Sequence, residues 1–338
     1  MRAPEFWTTG AGPWPALLSP LGCLYAAVGR IERGLVRPLR APIPVLCVGN
    51  LTAGGTGKTP VALALARRLQ AMGHNPGFLS RGYGGTAPGP LRVDPARHTA
   101  GQVGDEPLLL AARAPTWVAR QRRAALDPMI EAGIDAVILD DGYQDPALGK
   151  DLALVVTDGE TGFGNGRVIP AGPLRETVAD GLARAGAVII MGADRADVRE
   201  RISEARPELP VIAASLVPDD AARALAGRRV YGFAGIGRPE KFAATLEEIG
   251  AEVQGFEAFS DHHPYSADDL FTLLGAAAAA DALPVTTAKD WVRLPEEVRS
   301  KVTVVGVEAA FADADALDAL LSAALAASAA PEAPDRGA

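Results

Sequence analysis

The chain has 338 residues, 48% hydrophobic and 22% charged, enough to bury one large or two moderate cores, and two domains are the better expectation. Only two cysteines occur, Cys23 and Cys47, which argues against a disulfide framework and for a reducing compartment. The net charge of −8 is uneven: residues 1–42 carry five arginines against two glutamates, a net of +3 that leaves −11 for the rest, which speaks against nucleic-acid binding and fits an anionic membrane surface.

Residues 6–29 contain no charge and include Trp7, Trp14, Leu17, Leu18, Leu21, Leu24 and Tyr25, with arginines immediately after. Pro13, Pro15, Pro20 and several glycines weaken a transmembrane span, and arginines that follow the apolar run disfavour a secretory signal. Residues 1–40 are therefore expected to lie in a membrane interface, aromatic side down and arginines toward phosphate headgroups. A helix packed on the protein's own core is the alternative.

Residues 43–60 (IPVLCVGNLTAGGTGKTP) read as a buried strand, a glycine-rich turn and a helix start. Gly54, Gly55 and Gly57 lack Cβ atoms, so the backbone can turn N–H donors onto a polyphosphate. Thr52, Ala53 and Thr56 complete the loop, Lys58 can reach the β- and γ-phosphates, and the Thr59 hydroxyl is placed for Mg²⁺. Thr52 stands where the strict phosphate-loop pattern has its first glycine. A glycine turn with an exposed lysine is the plain alternative.

A helix is expected over 61–72, and strands over 76–79, 117–119, 136–139, 152–157, 187–191 and 211–214, mostly separated by helical stretches. This alternation implies a largely parallel sheet covered on both faces. Residues 216–229 read as a linker. A smaller α/β unit follows, with strands at 230–234, 253–259, 284–287 and 302–307, and helices at 239–249 and from 267. The expected division is an N-terminal segment 1–40, a nucleotide-binding domain 41–217, a smaller domain 228–325 and a disordered tail 326–338.

Asp140 and Asp141 end an apolar strand, where carboxylates can hold a nucleotide-bound Mg²⁺ directly or through water. Asp105 and Glu106 precede Pro107. Helix capping explains them locally, yet phosphoryl transfer needs a carboxylate to receive the acceptor's proton. Residues 162–176 form a long loop, from which Arg175 could offset phosphoryl charge or pair with Glu176 at the surface. Asp261, His262 and His263 offer a dyad or a polar surface, and no Cys/His spacing matches a zinc site. Lys289 and Asp290 fit either a base-binding strand end or a helix start capped by Thr287.

Taken together and in order, nine stretches resemble the tetraacyldisaccharide 4′-kinases of lipid A synthesis: 48–60, SRGYGG at 80–85, GDEP at 104–107, DDGYQ at 140–144, FGNG at 163–166, PAGPLRE at 170–176, AGIG at 234–237, DH at 261–262 and KD at 289–290. The resemblance implies an α/β, P-loop NTPase-like fold: a mostly parallel sheet flanked by helices, a second smaller α/β domain and an N-terminal membrane-contacting helix. It also implies ATP-dependent phosphorylation of the 4′-hydroxyl of a lipid-linked glucosamine disaccharide at the cytoplasmic face of the inner membrane. Residue by residue, Lys58 and residues 52–59 would bind ATP, with Thr59, Asp140 and Asp141 at Mg²⁺. Asp105 would be the base, oriented by His262, and Arg175 would offset charge. Arg81, Tyr83, Glu106, Gln144 and Glu176 are expected against the substrate or behind the reacting groups. Where the family usually has histidine after the glutamine, this chain has Asp145. No obligate protein partner is evident.

Two rivals are a membrane-bound ATPase switch and a soluble small-molecule kinase. The first often carries an extra lysine at the start of the loop, where Ala53 stands here. The second leaves the aromatic arm without a purpose.

Overall fold

The computed structural model describes residues 4–329. In chain order its strands are β1 (Val45–Gly49), β2 (Pro76–Ser80), β3 (Leu91–Arg92), β4 (Thr116–Val118), β5 (Ala136–Asp140), β6 (Leu152–Asp158), β7 (Ala187–Met191), β8 (Val211–Pro218), β9 (Arg229–Ala234), β10 (Glu252–Ala258), β11 (Leu283–Thr287), β12 (Thr303–Val305) and β13 (Val307–Phe311). β1, β5, β6 and β7 are buried at every position, as strands covered on both faces must be, and this is why they read as unbroken apolar runs.

One sheet orders its strands β13-β8-β7-β6-β1-β5-β2-β4-β3. It is parallel except at its two edges, where β3 runs against β4 and β13 against β8. Alternate residues of β1 divide between two cores. Leu46 and Val48 pack with Val61, Leu65 and Leu69 of the helix Lys58–Ala71, while Val45 and Cys47 join Leu139, Val155 and Phe163 on the other face. With β5 and β6 flanking β1 in parallel register, the phosphate-loop candidate, Asp140 and Asp158 all emerge at the carboxyl edge of the sheet, where the strand order opens a crevice. The smaller sheet, β10-β9-β11-β12, is wholly parallel.

The strand expected at 302–307 is in fact two strands of different sheets, broken at Gly306. A Cβ there would meet the Asp219 carboxylate, which would have to move aside. Residues 307–325, assigned from sequence to the smaller domain, therefore belong to the large sheet: β13 pairs with β8, and Leu317 and Leu321 of the last helix enter its core. That helix, Ala314–Ala329, also takes in residues 326–329 of the expected tail; residues 330–338, like 1–3, lie outside the described residues. The expected linker 216–229 holds the end of β8 and a short helix, Asp220–Arg223.

The N-terminal segment forms helices Phe6–Thr9 and Trp14–Leu35. Only Pro15, Gly22 and Ala26 of the longer helix are buried, whereas Trp14, Leu17, Leu21, Leu24, Val28, Ile31 and Leu35 are exposed at alternating spacings of three and four. That spacing makes one apolar stripe facing away from the body. Arg30 and Arg33 face the other way, pairing with Asp180 at 2.7 Å and Glu176 at 3.5 Å. The expectation that these arginines point at headgroups is thus corrected: they fasten the helix to the protein. No described helix is long and apolar enough to cross a membrane.

Candidate active site

The loop at 52–57 is braced from both sides. The Asn50 side-chain amide donates to the carbonyls of Thr52 at 2.7 Å and Gly54 at 3.3 Å, and the Ala53 N–H donates to the Pro173 carbonyl at 2.7 Å. Thr52 bridges Leu174, so this position serves as a short strand contact, not the left-handed turn that a glycine would supply. The left-handed residues are Gly54, at φ 117°, and Gly57, at φ 87°, which opens the helix Lys58–Ala71. Lys58 lies 3.8 Å from Asp141, and Arg175 donates to the same carboxylate at 3.0 and 3.2 Å. Arg175 therefore does not pair with its neighbour Glu176. Buried Glu176 instead accepts two hydrogen bonds from Arg184, at 2.8 and 2.9 Å, and Gln144 spans from the Asn50 carbonyl to Glu176.

Asp140, at the tip of β5, is 1% exposed, and neither carboxylate oxygen has a hydrogen-bond partner; the Thr56 hydroxyl is in the same state. Burial, reinforced by the charge of Glu106, pushes the Asp140 acid up to about 7. Asp141 adopts a left-handed φ of 50°, uncommon outside glycine. Buried Arg122 supports that backbone, donating to the Asp141 carbonyl at 3.0 Å and to Asp145 at 2.6 Å. Asp145 is held below the usual carboxylate range despite burial, by the Ala147 N–H and Arg122. Its side chain is committed to this support.

The second cluster spans the two units. Asp105 begins the helix Asp105–Ala111, but its Oδ2 accepts from His262 Nδ1 at 2.8 Å and from Arg293 Nε at 2.7 Å, and does not cap its own helix. Glu106 pairs with Lys289 at 2.9 Å. His262 has a φ of 58°, the second strained residue of the site, and its N–H donates to the Gly235 carbonyl. His263 points elsewhere, hydrogen-bonding Asp269 at 2.9 Å beside Phe259. Thr287 caps its short helix, as one of the two sequence readings expected, and leaves Lys289 to Glu106.

Tyr83 is 87% exposed and Arg81 is exposed, on a loop packed against residues 102–104 just before Asp105. Neither side chain makes a hydrogen bond among the described residues. Asn50, Arg122 and Arg293 were missed by sequence reasoning. Asn50 abuts the loop and Arg293 follows Asp290 at a helical spacing of three, so both had a local signal. Arg122 had none.

A family model described as LpxK, tetraacyldisaccharide-1-P 4′-kinase, matches residues 14–326. The tetraacyldisaccharide 4′-kinase of Rhodospirillum centenum is 55% identical over 327 residues, 95% of this chain and 96% of its own. That of Rhodospirillum rubrum is 52% identical over 322 residues, covering 95% and 97%. The crystal structure of LpxK from Aquifex aeolicus in complex with ATP has the same fold, with a TM-score of 0.72 at 24% identity over 92% of this chain and 99% of that one. With its nucleotide-type crevice and ordered motifs, this chain belongs to the tetraacyldisaccharide 4′-kinase family.

Proposed function

We propose that the crevice between the two units carries out the 4′-kinase reaction on Mg·ATP and a membrane-held lipid disaccharide, with Asp105 as the base. The observation that carries this reading is the Asp105–His262 contact at 2.8 Å, made between residues 157 apart in sequence, one from each unit. Phosphoryl transfer needs alignment and charge stabilisation more than covalent chemistry. The acceptor oxygen bonds to the γ-phosphorus as the bond to the β-phosphate oxygen breaks, and the acceptor's proton passes to Asp105. His262 holds that carboxylate in place. Lys58 and Arg175, gathered on Asp141, are positioned to exchange that carboxylate for the more highly charged phosphates.

The residues fit a divalent cation. Asp140 presents two buried oxygens with no donor, Asp141 follows it in the chain, and the Thr59 hydroxyl at the helix start would join them at the ion. Phosphate oxygens and water would complete the coordination of Mg²⁺. When bound, it would neutralise phosphate charge. Residues 52–59 would cradle the phosphates, and Arg81 and Tyr83, exposed beside Asp105, would meet the acceptor. Glu106, Gln144 and Glu176 support from behind.

The apolar stripe of the helix Trp14–Leu35 suits the interfacial zone of a bilayer. It would seat the enzyme on the cytoplasmic face of the inner membrane, beside an acceptor that stays in the lipid. With labelled ATP and the lipid disaccharide, the protein is expected to form phosphorylated lipid, and Lys58→Ala to lose it by about a hundredfold or more. Hydrolysis of ATP without lipid product would instead favour an ATPase switch.

A further inference from the structure

Asp105 is held by more than its histidine. Arg293, in the smaller unit, has only 6% of its side chain exposed. Its Nε donates to Asp105 Oδ2 at 2.7 Å, while Nη1 donates to the Gly235 carbonyl at 2.9 Å and to Asp290 Oδ1 at 3.1 Å. Nη2 lies 3.3 Å from His262 Nδ1. Asp290 is fully buried and is itself locked, accepting from the Gly235 N–H at 2.9 Å, the Tyr265 hydroxyl at 2.8 Å and the Thr287 hydroxyl at 2.6 Å. Gly235 permits this convergence. A Cβ there would lie 3.0 Å from the Ser260 carbonyl and 3.1 Å from Asp290 Oδ1.

We propose that Arg293 is a positioning residue for phosphoryl transfer: anchored on buried Asp290, it fixes the Asp105 carboxylate from across the unit boundary and leaves Oδ1 to receive the acceptor's proton. This rests on Asp105 acting as the base. Both Arg293 Nε and His262 Nδ1 meet Oδ2, and no donor among the described residues reaches Oδ1. Two donors on one oxygen set the rotation of the carboxylate, so the direction of the other oxygen is set as well. Of the two, His262 is half exposed on a strained backbone, whereas the guanidinium is a rigid planar fork with its second arm tied to a buried acid. Arg293 is therefore the firmer constraint.

The test is steady-state kinetics on the full chain with Mg·ATP and the lipid disaccharide. Arg293→Met is expected to lower kcat about a hundredfold, the cost of an ångström-scale misplacement, with KM for ATP within about twofold. Arg293→Lys, which keeps the charge and loses the fork, is expected to recover part of that loss at an unchanged melting temperature. In an Asp105→Asn background, Arg293→Met should cost almost nothing more, because it acts through that carboxylate. Independent, multiplying losses would overturn the positioning role, as would wild-type kcat in Arg293→Met. If Arg293→Met fails to fold, Arg293→Lys carries the same cycle. If Asp105→Asn itself keeps wild-type kcat, the base assignment fails and takes this inference with it. If Asp105→Asn is inactive while Arg293→Met is unimpaired, only the present inference fails.

Discussion

At Asp140, burial and function pull in opposite directions. The unfolded chain releases this proton near pH 4 and the folded chain at about 7, because burial and Glu106 oppose the charge. Between those values the folded state binds more protons than the unfolded one, so stability falls as pH rises and the penalty is complete above about pH 7. Asp140→Asn removes the charge. Without nucleotide or Mg²⁺ it should raise stability at pH 8 by roughly 1–3 kcal/mol, a melting shift of several degrees, with no gain at pH 4. Phosphorylation of lipid should collapse in the same variant. A melting temperature at pH 8 unchanged from wild type would contradict this account of the carboxylate. Removing Glu176 should instead lower stability. It is 1% exposed and holds Arg184 and Arg33, so Glu176→Ala leaves cations without their partner and should cost about 2–3 kcal/mol in denaturant unfolding, Arg184 being partly wetted. Sequence reasoning placed Glu176 near the reacting groups, but a linear sequence does not show whether an acid faces a crevice or an arginine from a distant helix.

Among the elements, the helix Trp14–Leu35 makes the most specific prediction. Its stripe is on one face and its arginines on the other, so Leu21→Glu with Leu24→Glu should abolish flotation with anionic vesicles while leaving ATP binding intact. Flotation equal to wild type would show that the stripe serves another purpose. Gly22→Val tests the attachment: a Cβ at Gly22 lies 2.7 Å from the Val168 carbonyl, so the helix must lift and Arg30 and Arg33 lose their partners. The parallel core strands β1, β5, β6 and β7 were legible because complete burial writes an unbroken apolar run. The glycine loop and Asp140 were legible because their chemistry is local. Where the reading failed, the cause was long-range pairing. The orientation of the N-terminal arginines depends on Asp180, 150 residues from Arg30, and β13 parts from β12 at a single glycine whose only signal is the Asp219 carboxylate beside it. Arg293 reaches Asp105 over 188 residues, and its spacing of three from Asp290 says nothing of that partner.

For the whole molecule, charge joins the two units on both sides of the crevice. Asp105 and Glu106 meet His262, Lys289 and Arg293 on one side, while Asp158 and Glu160 meet Arg238 and Lys241 on the other. Several of these groups are partly exposed, so salt should weaken the closure. Arg238→Ala at high ionic strength is expected to enlarge the radius of gyration in small-angle scattering, and Mg²⁺, a nucleotide analogue and the lipid acceptor together to reduce it. Identical scattering curves in all these states would mean that the units do not move against each other. In the proposed reaction closure matters because Asp105 and the His262 and Arg293 side chains that hold it come from different units. The decisive measurement is the turnover number for lipid 4′-phosphorylation of Asp105→Asn, taken alongside its ATP affinity. We predict ATP binding within about twofold of wild type and a turnover number reduced by roughly a hundred- to ten-thousandfold; a variant that retains more than half of wild-type turnover would contradict the account.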